Sequence, residues 1–221
     1  KIARPLGLVP TMGALHEGHL ALVRQAREEN TTLAVSIFVN PSQFGPNEDL
    51  ARYPTSMARD LDLLRGEGVD LAFTPKPAEV YPSGFSTWID VGDVATHLEG
   101  AFRPGHFRGV ATVVTKLFNV VHPDRAYFGQ KDGQQIVVIK RLVRDLNMGV
   151  QLVVVPTVRD SDGLALSSRN VYLTQGERCA APVVYQSLCK AKEMWERGER
   201  DAEVLRLRVM KELKTERLVS D

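Results

Sequence analysis

Two histidines stand three positions apart in VPTMGALHEGH, Val9 to His19, within a chain that has only five. An imidazole can donate a hydrogen bond to a phosphate oxygen and so favour charge that develops there during a reaction. Gly13 and Gly18 would let backbone come close to such a ligand. A helix beginning near Gly18 would offer free N–H groups and the positive end of its dipole to an anion. Two other readings compete. A zinc site of the zincin type needs its histidines four apart, and no cysteine lies near to complete a ligand set. A tight turn carrying two solvated histidines is the plainest alternative.

Four further segments carry polar groups that suit small-molecule chemistry. In FVNPSQFG, Asn40 and Gln43 are neutral amides, which donate and accept without adding charge. In FGQKDGQQ, Lys131 can neutralise phosphate, Asp132 can accept from a sugar hydroxyl, and Gln134 and Gln135 open the next helical pattern. In DGLALSSRN, Ser167, Ser168 and Arg169 join hydroxyls, backbone N–H groups and a guanidinium into an anion-binding cluster, or else form a helix cap. In RPGHFRGV, Arg103, His106 and Arg108 form a lid, a substrate loop or a solvated connection. Each segment alone reads as an ordinary polar turn. Together they have a common content, phosphate binding, without a GxxxxGK[ST] loop or a GxGxxG fingerprint.

The elements that must position these residues are legible from apolar patterning. Short runs at Leu6–Val9, Leu33–Val39, Val69–Phe73, Arg125–Phe128 and Gln151–Val155 suit strands buried on both faces of a parallel sheet. Helical patterns fall between them, from Gly18 to Glu29, from about Thr55 to Arg65, from Val110 onward and from about Gln134 to Leu146. This alternation predicts a doubly wound α/β domain, and in such sheets ligands sit at the C-terminal ends of the strands, where the polar segments lie. The composition changes after Leu173, which divides the chain into residues 1–173, the strand-bearing part, and residues 174–221, a helical tail rich in Arg, Lys and Glu.

The chain has 221 residues, 43% of them hydrophobic, enough to bury a core. With 28 basic and 27 acidic residues the net charge is +1, so there is no electrostatic case for nucleic acid or an anionic membrane as a partner. Cys179 and Cys189 are expected on one helical region, out of bonding reach, and read as reduced thiols in a cytosolic protein. No apolar run is long enough to span a bilayer, and the N-terminal residues do not read as a signal peptide.

The five segments PTMGALHEGH, FVNPSQFG, PGHFRGVATVV, YFGQKDGQQ and DGLALSSRN, in this order, resemble the pantoate–β-alanine ligase (pantothenate synthetase) family, within the wider HIGH-motif nucleotidyl transferases. The resemblance runs from about Leu6 to about Leu173 and implies a Rossmann-like nucleotide-binding domain followed by a smaller C-terminal lid. It implies ATP and Mg²⁺, condensation of (R)-pantoate with β-alanine through a pantoyl adenylate, and a cytoplasmic homodimer. By motif, Met12, Gly13, Ala14, Leu15, His16, Glu17, Gly18 and His19 would line the ATP site, with His19 the proton donor. Gly129, Gln130, Lys131 and Asp132 would add to it, as would Val158, Leu166, Ser167, Ser168 and Arg169, the last three resembling the KMSKS element. The residues implied in catalysis are His16, His19, Lys131, Ser167, Ser168 and Arg169. Gln43 would bind pantoate and border the β-alanine site, Gln135 would hold pantoate from the other side, Asn40 would support this substrate pocket, and Asp60 would stand near the metal. Family members carry a helical segment before the first strand and a β-rich lid at the end. On that pattern the lid is expected to be incomplete here, with ATP binding retained and turnover impaired. A nucleotidyl transferase for another acid is the nearest rival, though neutral Gln43 and Gln135 argue against a phosphate-bearing acceptor. A non-catalytic ATP-binding regulator is a further alternative.

Overall fold

Alternate side chains of the apolar runs enter two different cores, and this pattern builds the sheet. A computed structural model of the chain describes residues 2–219. In it, β1 (Leu6–Thr11), α1 (Glu17–Glu29), β2 (Thr32–Ile37), α2 (Met57–Gly66), β3 (Leu71–Phe73), α3 (Pro77–Val80), α4 (Glu99–Phe102), α5 (His106–Val121), β4 (Arg125–Gly129), α6 (Gly133–Asp145) and β5 (Gln151–Val155) follow one another. The strands form one parallel sheet in the order β3-β2-β1-β4-β5. Leu6, Leu8, Ala34, Ala126 and Phe128 pack with α5 and α6 in one core. Val9, Leu33, Val35, Ile37 and Tyr127 pack with α1 and with Leu64 of α2 in the other. A sheet buried on both faces and flanked by helices is the expected doubly wound α/β fold. Each fully buried Leu, Val or Phe adds roughly 1.5–3 kcal/mol.

The boundaries differ from the sequence expectation where tertiary contacts decide them. α5 starts at His106, ahead of the Val110 pattern, after Gly105 turns the chain at φ 84°. Arg108 and His106 are therefore helical residues, not part of a loop. α5 is buried nearly all round, from Phe107 to Phe118, so a single apolar face understates its packing.

Contact density separates the chain into two units, dividing between Thr157 and Val158, ahead of the composition change at Leu173. The physical reason lies in the second unit, where the segment after Val158 is tied to helices. Arg178 pairs with Asp160 and Asp162, and the Arg159 guanidinium stacks over Tyr185 at 3.8 Å. That unit contains α7 (Gln175–Ala180), α8 (Val183–Glu196) and α9 (Ala202–Leu213), the last two packed on each other. Cys179 lies in α7 and Cys189 in α8, on two helices where one was expected, and both are free thiols. Among the described residues no helix is long and apolar enough to cross a membrane.

Candidate active site

The sheet order creates the crevice. From β1 the chain winds outward to β2 on one side, and from β4 it winds outward to β5 on the other. Connections leaving adjacent strands in opposite directions open a gap at their C-terminal ends. Thr11 and Gly129 end these two strands, so Met12–His19 and Gln130–Asp132 face one crevice. Lys131 is close enough that its charge acts on both His16 and His19.

The turn after β1 is pinned from several sides. Thr11 Oγ1 donates to the Ser36 carbonyl at 2.8 Å and accepts the Gly13 N–H at 3.3 Å. Gly13 and Ala14 both adopt the left-handed region, at φ 84° and 49°. Asp60 accepts the Ala14 N–H at 2.8 Å on one carboxylate oxygen and the Leu15 N–H at 2.8 Å on the other. His16 then caps α1. Its Nδ1 accepts the Gly18 N–H at 3.1 Å, and His19 Nδ1 accepts the His16 N–H at 3.4 Å. The Gly18 N–H is thus taken by His16 rather than free for an anion, as the sequence had suggested.

The capping contacts assign the imidazole protons. A neutral ring whose Nδ1 accepts must carry its hydrogen on Nε2. Each histidine therefore offers one Nε2–H donor, and the two rings lie with centroids 4.1 Å apart. Burial, helped by the Lys131 charge, lowers the His16 pKa. Burial, then the His16 and Lys131 charges, lowers that of His19 to about 3. The pair is neutral near pH 7. In that state His19 offers its Nε2–H as a hydrogen-bond donor.

A second cluster lies beyond β2. Asn40 is 1% exposed, and its amide is used inside the protein. Its Oδ1 accepts from Tyr81 Oη at 2.8 Å and Ser42 Oγ at 2.9 Å. Its Nδ2 donates to Gln43 Oε1 at 3.0 Å and to the Gly109 carbonyl at 3.2 Å. Asn40 thereby supports Gln43 from within the protein. This leaves the Gln43 Nε2 donors for other partners. From α5, His106 Nδ1 donates to the Gln43 carbonyl at 2.8 Å; Arg103, at the end of α4, holds Glu48 through two contacts at 2.9 and 2.6 Å. Gly109 allows this approach, because a Cβ there would lie 2.4 Å from the Ser42 carbonyl oxygen. Burial, with a contribution from Arg103, lowers the His106 pKa despite its bond to Gln43.

The two glutamines at the start of α6 divide their work. Gln134 is structural: it accepts the Glu99 N–H at 3.0 Å and donates to the carbonyls of Val94 and His97. Gln135 is half-buried in the same first turn. Lys131 Nζ rests 3.2 Å from Asp132. In the second unit, the Leu166 N–H donates to the Val158 carbonyl at 3.0 Å, which brings those two expected ATP contacts together. Ser167 follows and caps the 3₁₀ turn Ser168–Tyr172 by accepting the Arg169 N–H.

The metal expectation fares differently. Among the described residues no three His, Cys, Asp or Glu side chains are grouped so as to hold a metal ion, and both Asp60 oxygens already accept backbone amides. The residues present do not form a dedicated Mg²⁺ cage. Sequence reasoning also passed over Tyr81, Glu48 and Gly109. Glycine and tyrosine there carry no local signal, because their partners are distant in sequence.

The fold and this crevice define a Rossmann-like α/β protein whose switch point presents neutral histidine donors beside a lysine. The chain belongs to the pantoate-beta-alanine ligase family, whose model matches residues 1–221. It is 64% identical to a pantothenate synthetase of Chloroflexus aurantiacus over 201 residues, covering 91% of this chain and 72% of that one. A crystal structure of pantothenate synthetase from Thermus thermophilus superposes with a TM-score of 0.93 at 54% identity, covering 96% of this chain and 77% of that one. A ligase from Francisella tularensis, complexed with beta-gamma ATP and beta-alanine, superposes with a TM-score of 0.81 at 40% identity, covering 94% and 77%.

Proposed function

We propose that the chain joins (R)-pantoate to β-alanine at the β1/β4 crevice through a pantoyl adenylate. The pantoate carboxylate attacks the α-phosphate of ATP and releases pyrophosphate. The β-alanine amine then attacks the acyl carbon and releases AMP. The observation that carries this reading is the neutral Nε2–H pair of His16 and His19 beside Lys131. A carboxylate is already ionised near neutral pH and needs no base, so the first step asks mainly for donors to the phosphates. The Francisella ligase complex with ATP and β-alanine supports both ligands.

In this reading Met12 to His19 and Gly129 to Asp132 line the nucleotide site. Val158, Leu166, Ser167, Ser168 and Arg169 are the further ATP contacts of this reading. Gln43, oriented by Asn40 and His106, and Gln135 hold pantoate by neutral hydrogen bonds. Holding carboxylate and α-phosphate in line removes much of the entropic barrier. Mg²⁺, an ion that keeps several waters and takes few protein ligands, would be held mainly by the triphosphate and would neutralise its charge. The enzyme works in the cytoplasm as a homodimer.

The test is pantoate-dependent exchange of labelled pyrophosphate into ATP without β-alanine, followed by AMP formation once β-alanine is added. Exchange supported by a different acid, with none from pantoate, would overturn the substrate assignment. His19→Ala is expected to slow exchange by about 10²–10³-fold, the usual scale for losing one transition-state donor.

A further inference from the structure

Asp60 is 1% exposed, and α2 delivers it to the turn that precedes His16. Leu64, one turn further along α2, is buried in the same core cluster as Leu15, so the helix is anchored beside the residue whose amide Asp60 accepts. Ala14 needs outside support to hold its place in the turn, since it sits at φ 49° without glycine's freedom. Gly13 is what admits the carboxylate. A Cβ there would lie 3.0 Å from Asp60 Oδ2 and 3.1 Å from Ile37 Cγ2.

We infer that Asp60 is a positioning residue for the histidine pair: through the Ala14 and Leu15 amides it fixes where His16 begins α1, and it does not coordinate the metal ion. The inference rests on reading Met12–His19 as a wall of the ATP site. With the Ala14 and Leu15 amides held by Asp60 and the Gly18 amide held by His16, these backbone donors are committed. Phosphate is then met by side chains, and ring placement becomes decisive. A metal ion on Asp60 would have to displace a backbone amide, and Mg²⁺ demands near-ideal octahedral oxygen ligands.

Asp60→Asn is the direct test, because the amide can accept one N–H but turns an NH₂ toward the other. Pyrophosphate exchange is expected to fall roughly ten- to a hundredfold in kcat, the scale of an ångström of misplacement. The Mg²⁺ concentration for half-maximal rate should stay unchanged. Exchange within about twofold of the unaltered chain, or a deficit restored by excess Mg²⁺, would overturn the inference. A second measurement needs no variant. Mn²⁺ added to the unaltered chain without ATP should leave the Ala14 and Leu15 amide NMR signals sharp, and selective broadening of those signals overturns the positioning role. If Asp60→Asn does not fold, the Mn²⁺ titration decides. If the unaltered chain shows no pantoate-dependent exchange, the functional reading fails, while the titration still answers for Asp60.

Discussion

At the scale of single residues, His19 shows how burial and neighbouring charge set chemistry. Its ring would take up a proton near pH 6.5 in the unfolded chain but does so only near pH 3 in the fold. Below about pH 6.5 the unfolded chain therefore binds a proton that the folded chain excludes, and stability drops as pH falls. The stabilisation is complete above pH 6.5 and is lost progressively toward pH 3. His16 and His106, also lowered, act in the same direction. Glu48, held down by its hydrogen bond to Arg103, contributes only below its ordinary value of 4.5. Thermal unfolding followed between about pH 6.5 and 4.5 should show a falling midpoint, with a shallower slope for His19→Gln. An unchanged slope would mean that His19 is not the excluded base. Sequence alone marked both histidines as phosphate donors. It did not show that each uses Nδ1 to cap a helix, because that depends on where the Gly18 and His16 amides point.

At the scale of elements, α5 against the turn after β2 is the informative contact. Asn40 and Gln43 were legible as amides just past a strand end. The contacts that hold them were not, because these come from Tyr81, Gly109 and His106, which arrive from other elements. Gly109→Ala tests this packing. The new Cβ would press on the Ser42 carbonyl at 2.4 Å and the Gln43 nitrogen at 2.7 Å, both backbone atoms with little room to yield. Overpacking of this kind costs about 1–3 kcal/mol. Denaturant unfolding should show that loss, and steady-state kinetics should show KM for pantoate rising more than KM for ATP. Equal rises in both would detach Gln43 from the pantoate role. The strands were readable because their apolar runs are short and closed by Gly, Pro or Asn. The start of α5 was not, because a left-handed Gly105 caps it and its first turn, His106 to Gly109, holds a single apolar side chain.

For the whole molecule, net charge near zero and a sheet buried on both faces fit the small-molecule site proposed at the strand-end crevice. The homodimer proposed above predicts twice the chain mass by light scattering, independent of ATP. A single-chain mass across micromolar concentrations would remove it. Apolar periodicity, strand–helix alternation and five ordered polar segments determined by themselves the α/β class and the family, and put the polar segments at strand ends. Those features are local or patterned, so one chain displays them. Only the tertiary structure decided that β1 and β4 are neighbours, which makes their two loops one crevice. It also made Asn40 and Asp60 internal supports and placed the unit boundary at Thr157. Each of these depends on partners far away in sequence, and a hydrogen-bonding group carries no mark in its own neighbourhood of which distant atom will satisfy it.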